Sequence, residues 1–370
     1  MTEQLLQTAS ATLPVTTLTD FLRAQSPDLA VMPYRGALTL QHLDAPAAET
    51  DALLHGAAVH DLGWLRRVAV RGEDRFRWLS GMVTNAVETL VDGTGAYNLV
   101  LNAQGRIQGD VNAWRDGDDV EIEITAEQAE ALLAHLDHFI IMDDVELIPL
   151  AKRSALGISG PDAGRLLGEL GLPVLAEDLS SGTGMIDGLA VRLERGYGPL
   201  VPHYLLWTDT GNIPTLWEKM VAAGAKPVGA AALETLRIVE GIPAYGIDIQ
   251  SRDLAQETAQ TRALNFTKGC YLGQEIVERI RSRGQVHRHL LSLELTPEND
   301  GDLPAAGTEL KAAEKAAGTL TSVAAMQLNG VRRIFAIGMI RAEAEAAKLP
   351  LSYSGGQARI LNTGLKLTAV

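Results

Sequence analysis

The chain has 370 residues, enough for two or three domains at roughly 150 residues each. There are 32 Lys and Arg residues against 46 Asp and Glu residues, and the resulting net charge of −14 disfavours a protein that coats nucleic acid by charge alone. A hydrophobic fraction of 46% with 21% charged residues is typical of a folded protein and excludes wholesale disorder. The single cysteine excludes an intramolecular disulfide and an all-cysteine metal site within one chain.

The N-terminal residues, MTEQLLQTAS, contain no basic run before an apolar stretch, so they do not resemble a secretory signal. No run of about 18 apolar residues occurs in the sequence, and we therefore expect no membrane span. These two observations predict a soluble protein of the cytoplasm. Residues 1–45 are rich in Thr, Ala and Pro, and we expect them to form an N-terminal extension with one short helix near 18–23.

Regular hydrophobic periodicity defines a first block over residues 46–150. Strand-like alternation and helix-like spacing follow one another within it. Thr125 is a suitable N-cap for the second helix of the block. The predicted order is strand, helix, three strands, helix and strand, at 65–70, 72–79, 97–102, 106–114, 120–124, 125–139 and 145–150.

The second block, residues 151–229, repeats this plan at a constant offset of 88 residues. The matching pairs are Gly72 and Gly160, Asp74 and Asp162, Arg77 and Arg165, and Leu79 and Leu167. Strands at 185–195 and 203–208, a helix at 213–223 and a short strand near Pro227 then follow in the same order. Two β-α-β-β-α-β units of the ferredoxin-like split type account for the repeat. A helix at 230–240 returns the chain to the first unit, which residues 230–285 complete.

The last block, residues 286–370, has short strands between Gly- and Pro-containing turns. Their spacing predicts a small β-barrel. The predicted fold class is therefore α+β, with two ferredoxin-like units and a C-terminal barrel. The strands of the barrel are predicted at 289–295, 318–323, 334–340 and 358–361.

Basic residues are concentrated between Arg262 and Arg288. Only Glu275 and Glu278 oppose them there, so this stretch carries a local charge of +4 in an acidic chain. A local reversal of charge is what an anionic ligand site needs. The alternative is a solvated helix face that is rich in arginine. The six basic residues are Arg262, Lys268, Arg279, Arg281, Arg283 and Arg288.

The same stretch contains the single cysteine, Cys270, two residues after Lys268. A helix is predicted to start near Gln274, and both a neighbouring cation and a helix N-terminus make a thiol more reactive. Gly269 and Gly273 would allow the backbone to approach a ligand closely. The alternative is a small, buried and inert cysteine side chain.

The segment Lys268-Gly-Cys-Tyr-Leu-Gly-Gln-Glu275 resembles the K-G-C-Y-x-G-Q-E signature of the YgfZ family. These are folate-binding proteins associated with iron–sulfur enzyme maintenance and tRNA modification. They are related to the T-protein, the aminomethyltransferase of glycine cleavage. Three further segments resemble the T-protein fold, and together the similarity covers residues 50–290. The segments are His60–Leu62, Leu101–Ile107 with Asp110, and Leu236–Pro243 with Tyr245 and Gly246.

The resemblance implies a three-domain cloverleaf around a central pocket that holds tetrahydrofolate or a folate derivative. It implies that Lys268 or Arg237 contacts the glutamyl carboxylates of the folate and that Cys270 is a reactive thiol. From their spacing alone, Arg237 and Glu240 could instead form a plain ion pair on a helix surface. The implied folate-binding residues are Lys268, Gly269, Tyr271, Gly273, Gln274, Glu275, Arg237 and Asp110. No metal site is expected, because His287 and His289 lack a third ligand in the sequence.

The sequence departs from the T-protein pattern at two places. Gly109 replaces one of two adjacent acids, and residues 196–201 lack the carboxylate that holds the pterin. We therefore expect a folate-binding protein that supports the assembly or repair of iron–sulfur enzymes, including those that modify tRNA. One alternative is a folate-dependent one-carbon transferase of the T-protein type. Another is a non-catalytic scaffold that uses the basic strip 279–288. The expected partners are folate and iron–sulfur enzymes or assembly proteins, without membrane or direct nucleic-acid binding.

Overall fold

The computed structural model describes residues 13–299, 303–328 and 330–361. Residues 1–12 of the predicted extension and 362–370 of the predicted barrel block lie outside the described residues. None of the helices in the described ranges is long and apolar enough to cross a membrane.

The strands are β1 (Val31–Tyr34), β2 (Ala37–Leu40), β3 (Ala58–Asp61), β4 (Leu65–Arg71), β5 (Gly95–Leu101), β6 (Ile107–Asp116), β7 (Asp119–Thr125), β8 (Glu146–Pro149), β9 (Arg153–Ser159), β10 (Ser181–Ile186), β11 (Leu189–Gly196), β12 (His203–Asp209), β13 (Lys226–Pro227), β14 (Arg288–Pro297), β15 (Glu309–Ala312), β16 (Lys315–Leu328), β17 (Val331–Arg341), β18 (Leu351–Tyr353) and β19 (Gly356–Ile360). The helices are α1 (Thr17–Gln25), α2 (Pro46–His55), α3 (Arg75–Met82), α4 (Ala126–Asp137), α5 (Ala163–Glu169), α6 (Ile213–Ala222), α7 (Ala230–Glu240), α8 (Gln274–Arg283) and α9 (Ala342–Ala347). Short 3-10 helices span Thr210–Asn212, Ala255–Thr258 and Thr261–Ala263.

The first unit is a five-stranded antiparallel sheet in the order β5-β6-β7-β4-β8. Helices α3 and α4 pack on this sheet and bury Leu79, Leu132 and Leu136 in its core. The spacing of Leu132 and Leu136 puts both on one face of α4, which is why that face turns inward. The first unit therefore consists of one sheet layer and one helix layer.

The second unit is a six-stranded sheet in the order β10-β11-β12-β9-β3-β13. Strand β3 precedes the first unit in sequence, yet it pairs with β9 of the second. Leu18 of α1 is buried in the same core as Leu166 and Leu216. Helix α1 of the N-terminal segment thus packs as part of the second unit.

The range 185–195, predicted as one strand, is a hairpin of β10 and β11. Asp187 and Gly188 form its turn with φ values of 47° and 84°. Positive φ at both central residues is characteristic of a two-residue hairpin turn. The prediction of a single strand was wrong because the Asp-Gly turn signal was read as part of the strand.

The C-terminal block forms a closed barrel in the order β14-β17-β16-β15-β18-β19. Helix α7 packs against β16 and β17, so the barrel, α7 and the first unit share one core. Leu99 of the first unit, Leu236 of α7 and Phe335 of the barrel are all buried in this core. Two sheet-and-helix units and a barrel confirm the predicted α+β fold class.

Candidate functional site

A cavity of about 290 Å³ lies where the two units meet α7. Both units, α7, the residues that follow it and the N-terminal segment contribute to its wall. The wall combines aromatic rings with carboxyl, imidazole and guanidinium groups. Its polar residues include Tyr97, Asp110, Glu123, Ser159, His203 and Arg262.

Asp110 lies on β6 and presents its carboxylate in the cavity wall. The Tyr97 hydroxyl donates to Oδ2 at 2.8 Å, and Gln128 Nε2 donates to Oδ1 at 2.8 Å. Burial raises the pKa of Tyr97 well above its usual value, and the negative charge of Asp110 raises it further. The phenol therefore stays a proton donor, and the Asp110 carboxylate is held in a fixed orientation.

Gly109, the residue before Asp110, faces away from the cavity. An added Cβ would lie 2.6 Å from Gln128 Oε1 and 2.9 Å from a methyl of Leu132, both on α4. Successive residues of a strand point to opposite faces, so an acid at 109 would meet the helix layer. The lack of an acid at position 109 therefore removes no carboxylate from the cavity.

Arg262 is held between two aromatic rings of the cavity wall. Its guanidinium lies 4.0 Å from the centroid of Tyr97 and 4.2 Å from that of Tyr197. Its backbone carbonyl accepts a hydrogen bond from Asn85 Nδ2 at 2.9 Å. Among the described residues it forms no ion pair, unlike Arg35 and Arg237, which also line the cavity. A stacked cation without a carboxylate partner is suited to bind an anion.

Arg237, predicted to bind the folate, lines the cavity but uses its donors within the protein. Nη1 donates to Asp248 and to the carbonyl of Ile242, each at 2.7 Å, while Nε donates to Glu234 at 3.0 Å. The possible surface ion pair with Glu240 is contradicted, because Glu240 is buried and pairs elsewhere. Arg237 therefore ties α7 to the residues that follow it.

Four cavity-lining side chains are joined by consecutive hydrogen bonds. His203 Nε2 lies 2.9 Å from a Glu240 carboxylate oxygen, and His203 Nδ1 lies 2.8 Å from Ser159 Oγ. Ser159 Oγ lies 2.9 Å from His60 Nε2. Glu240 thus brings a carboxylate next to the 196–201 segment, where Leu200 N–H donates to it at 3.3 Å. The cavity wall therefore contains buried carboxyl groups despite the two sequence departures.

Glu123, on β7, is a further buried carboxyl group in the wall. Asn112 Nδ2 donates to its Oε1 at 2.9 Å, whereas Oε2 has no hydrogen-bond partner among the described residues. The Arg67 guanidinium approaches Oε2 only to 3.6 Å. Burial raises the pKa of Glu123 to about 7, and the negative charge of Glu194 raises it while Arg67 opposes the shift. This carboxyl group therefore changes its charge near neutral pH.

The signature loop, residues 268–275, lies outside the cavity wall. The Lys268 ammonium donates to the carbonyls of Ser80, Val83 and Asn85, the last two at 2.7 Å. All three of its N–H donors are thereby used. This arrangement does not support a contact between Lys268 and a folate carboxylate. Lys268 instead holds the segment that follows α3, and Asn85 of that segment in turn holds Arg262.

The other signature residues divide between packing and exposure. Gly269 and Cys270 are exposed, whereas the Tyr271 ring is buried in the core shared with α7. Gly273 has a φ of 82°, and an added Cβ would lie 2.7 Å from the carbonyl oxygen of Asn102. Its backbone therefore packs directly on the β5–β6 hairpin. Gln274 and Glu275 begin α8.

Of the predicted folate-binding residues, only Asp110 and Arg237 line the cavity. Sequence reasoning missed Tyr97, Glu123 and Arg262 as wall residues. In the sequence Arg262 stands out only as part of a basic stretch, and neither Tyr97 nor Glu123 belongs to a recognisable motif. The described residues contain no group of three or more His, Cys, Asp or Glu side chains that could hold a metal ion.

Residues 34–268 match the family model of the GCVT N-terminal domain. Over 257 residues the chain is 30% identical to an aminomethyltransferase of Rubrobacter xylanophilus, covering 67% of this chain and 68% of that protein. A putative chloroplastic transferase of Arabidopsis thaliana is 25% identical over 281 residues, which cover 74% of this chain but 63% of the relative, less than two thirds of its length. Among solved structures, the glycine cleavage system aminomethyltransferase T of Bartonella henselae has the same fold. The TM-score is 0.83 at 19% identity, covering 94% of this chain and 96% of that one. The chain therefore belongs to the GCVT N-terminal domain family, with the fold of aminomethyltransferase T.

Proposed function

We propose that this protein binds a reduced folate, tetrahydrofolate or a derivative, in the central cavity. The observation that carries the proposal is the stacked Arg262, which forms no ion pair in the described ranges, in the same wall as the oriented carboxylate of Asp110. A pterin presents neighbouring N–H donors, which a carboxylate held in a fixed orientation binds well. The glutamyl carboxylates of a folate need a cation, and Arg262 supplies one. The relatives named as aminomethyltransferases are in keeping with such a ligand.

In this proposal Arg262 takes the role that the family resemblance implies for Lys268 or Arg237. Lys268 has no donor left for a ligand, whereas the Arg262 guanidinium lines the cavity and has no ion pair in the described ranges. A charge-assisted hydrogen bond contributes about 1.5–3 kcal/mol. Loss of this contact should weaken folate binding roughly tenfold or more.

Calorimetric titration with 5-formyltetrahydrofolate tests this assignment. We expect one ligand per chain and at least a tenfold weaker affinity for Arg262→Ala. Arg281→Ala is the matched control, because Arg281 also stacks on a ring, Phe266 at 4.7 Å, but lies outside the cavity. Equal affinities of the two variants would remove Arg262 from the site. If the wild-type chain bound no folate, the result would favour the non-catalytic scaffold instead.

The proposal extends to support of iron–sulfur enzymes, including those that modify tRNA, in the cytoplasm. The complete K-G-C-Y-x-G-Q-E signature at 268–275 supports this part, as does the exposure of Cys270. An exposed thiol on a loop is accessible to a client protein, whereas a buried one is not. In this proposal the cavity holds the folate and the signature loop meets the client.

Complementation of a deletion strain tests the role of Cys270. Cys270→Ser should keep the fold and the folate affinity, because the side chain is exposed and lies outside the cavity. It should fail to restore the activity of iron–sulfur enzymes. Full restoration by the variant would remove the thiol from the function.

A second candidate function is one-carbon transfer of the T-protein type, and the placement of Asp110 in the cavity favours it. The orientation of Gly109 and the presence of buried carboxyl groups remove the sequence-based argument against it. Incubation with tetrahydrofolate and an aminomethyl-loaded carrier protein distinguishes the two. Formation of methylene-tetrahydrofolate that is abolished by Asp110→Asn would establish the transferase, and no formation above background would favour the maintenance role.

A further inference from the structure

The hydrogen-bonded chain Glu240–His203–Ser159–His60 has a free end. Its first end is the Glu240 carboxylate, which is buried and accepts from His203 and from backbone N–H groups. Its last atom is His60 Nδ1, which is buried and has no hydrogen-bond partner among the described residues. The His60 ring lines the cavity. An unpaired buried nitrogen is costly unless a ligand or water satisfies it.

The His60 ring lies directly against Gly157 of β9, which has no side chain. A Cβ at Gly157 of β9 would lie 1.8 Å from His60 Cε1, so the ring occupies the space that any other residue there would fill. Ser159, two residues along the same strand, then meets His60 Nε2. The ring therefore packs directly on the backbone of β9, with Nε2 held by Ser159.

The direction of each hydrogen bond follows from the carboxylate end. Glu240 accepts, so His203 carries a proton on Nε2 and a lone pair on Nδ1 when it is neutral. The Ser159 hydroxyl must then donate to His203 and accept from His60 Nε2–H. His60 Nδ1 is left with a lone pair, and it can accept a hydrogen bond from an N–H or O–H group of a ligand.

The charges around the chain decide where an added proton rests. Burial lowers the pKa of His60 to about 3, and the nearby His203 contributes in the same direction. Burial also opposes protonation of His203, but the carboxylate of Glu240 outweighs it, with help from Asp178, and raises the pKa of His203. The favoured site for a positive charge is therefore His203, beside Glu240, and not the imidazole of His60.

We propose that Glu240, His203, Ser159 and His60 form a proton relay that accepts a proton from an N–H or O–H group in the cavity and stores it on His203. The ligand proton binds His60 Nδ1, while the Nε2–H bond of His60 breaks and its proton moves to Ser159 Oγ. The original Ser159 proton moves to His203 Nδ1. The positive charge then lies on His203, and the electron pair of the broken bond stays on the ligand. His60 changes tautomer but stays neutral.

Nitrogen-15 NMR of the imidazoles tests the relay without any ligand. The protein is labelled at histidine, and His60 and His203 are assigned with the variants His60→Gln and His203→Gln. When pH falls through the midpoint of His203, we expect the His60 signals to change from the Nε2–H to the Nδ1–H tautomer at that same midpoint. His60 signals that do not move while His203 titrates, or that show a charged imidazole, would overturn the proposal.

The variant Ser159→Ala removes the central link. His203 should still titrate beside Glu240, which also reports an intact fold, but His60 should no longer follow it. Ser154→Ala is the matched control, since Ser154 is a buried serine on the same strand β9 outside the relay. Persistence of the coupling in Ser159→Ala, or its loss in Ser154→Ala, would show that the signal does not pass through Ser159. Should Ser159→Ala fail to fold, the wild-type titration decides alone.

Discussion

In the central cavity, several polar side chains are buried and their partners come from several parts of the chain. Glu240 and His203, which lie on α7 and β12, are an example. In the signature loop 268–275, the Lys268 ammonium donates to three backbone carbonyls and Cys270 is open to solvent. The cavity therefore contains ionisable groups that can bind a ligand, while the loop joins neighbouring segments and exposes one thiol.

The difference separates ligand binding from the exposed thiol, whereas the sequence motif alone would assign both to the signature loop. The signature is contiguous, yet none of its residues lines the cavity, and Gly273 packs on the β5–β6 hairpin. Lys268 influences the cavity indirectly, because it holds Asn85, which bonds to the backbone of Arg262. Ligand binding should therefore depend on cavity residues, and the loop should affect mainly stability and contacts with other proteins.

The largest effect should come from Glu123→Gln in the cavity wall. The carboxyl group has a pKa of about 7 in the folded protein against an ordinary value of 4.5, so the folded state holds an extra proton between these pH values. The contribution of Glu123 to the free energy of unfolding of the wild-type chain is therefore lost as pH rises from 4.5 to 7. The variant lacks this loss, and its stability relative to wild type should rise by about 3 kcal/mol between pH 4.5 and 8.

Urea unfolding at several pH values measures this difference. Glu130→Gln, a change at an exposed carboxyl group on α4, is the control and should show no such trend. A constant difference between Glu123→Gln and wild type across the whole range would contradict the buried titration of Glu123.

The next effect should come from Lys268→Met in the loop. Three backbone carbonyls lose their donor, and we expect a loss of about 1.5–3 kcal/mol of unfolding free energy. The folate affinity should fall by less than it does in Arg262→Ala, because Lys268 does not line the cavity. Chemical denaturation and calorimetric titration of the same preparation measure both quantities. A larger loss of affinity than in Arg262→Ala would place Lys268 in the binding site.

Gly273→Ala and Gly269→Ala form a matched pair within the loop. Gly273 has positive φ and packs on the carbonyl of Asn102, so alanine there should cost about 1–3 kcal/mol. An added Cβ at Gly269 meets no atom within 4 Å, and that variant should stay within about 0.5 kcal/mol of wild type. Thermal unfolding compares them. Equal stabilities would show that the loop does not pack closely on the hairpin.

Local patterns were sufficient to predict much of the fold. Helix α4 has apolar residues at helical spacing, and strands β5 to β7 are separated by Gly-containing turns, so each element is encoded in its own residues. Strand β3 could not be placed in this way. All its residues are buried, so it lacks alternation, and its partner β9 is specified by packing far along the chain.

The site was predicted less completely for the same physical reason. Asp110, which is predicted from its hairpin motif, lies in the cavity wall. Arg262 and Tyr97 lie far apart in the sequence, and only the packing of the 3-10 helix at Thr261–Ala263 on β5 stacks them. Glu123 joins them through the register of β6 and β7, where it pairs with Asn112. No local sequence pattern encodes contacts between residues that are so far apart in the chain.

The structure of the complex with 5-formyltetrahydrofolate is the most direct test of the account. It claims that the central cavity, and not the signature loop, holds the folate. We predict that the ligand lies in the cavity with a carboxylate on Arg262 and the pterin beside Asp110. A ligand bound against Lys268 and Cys270 on the surface, with the cavity filled by water, would contradict it.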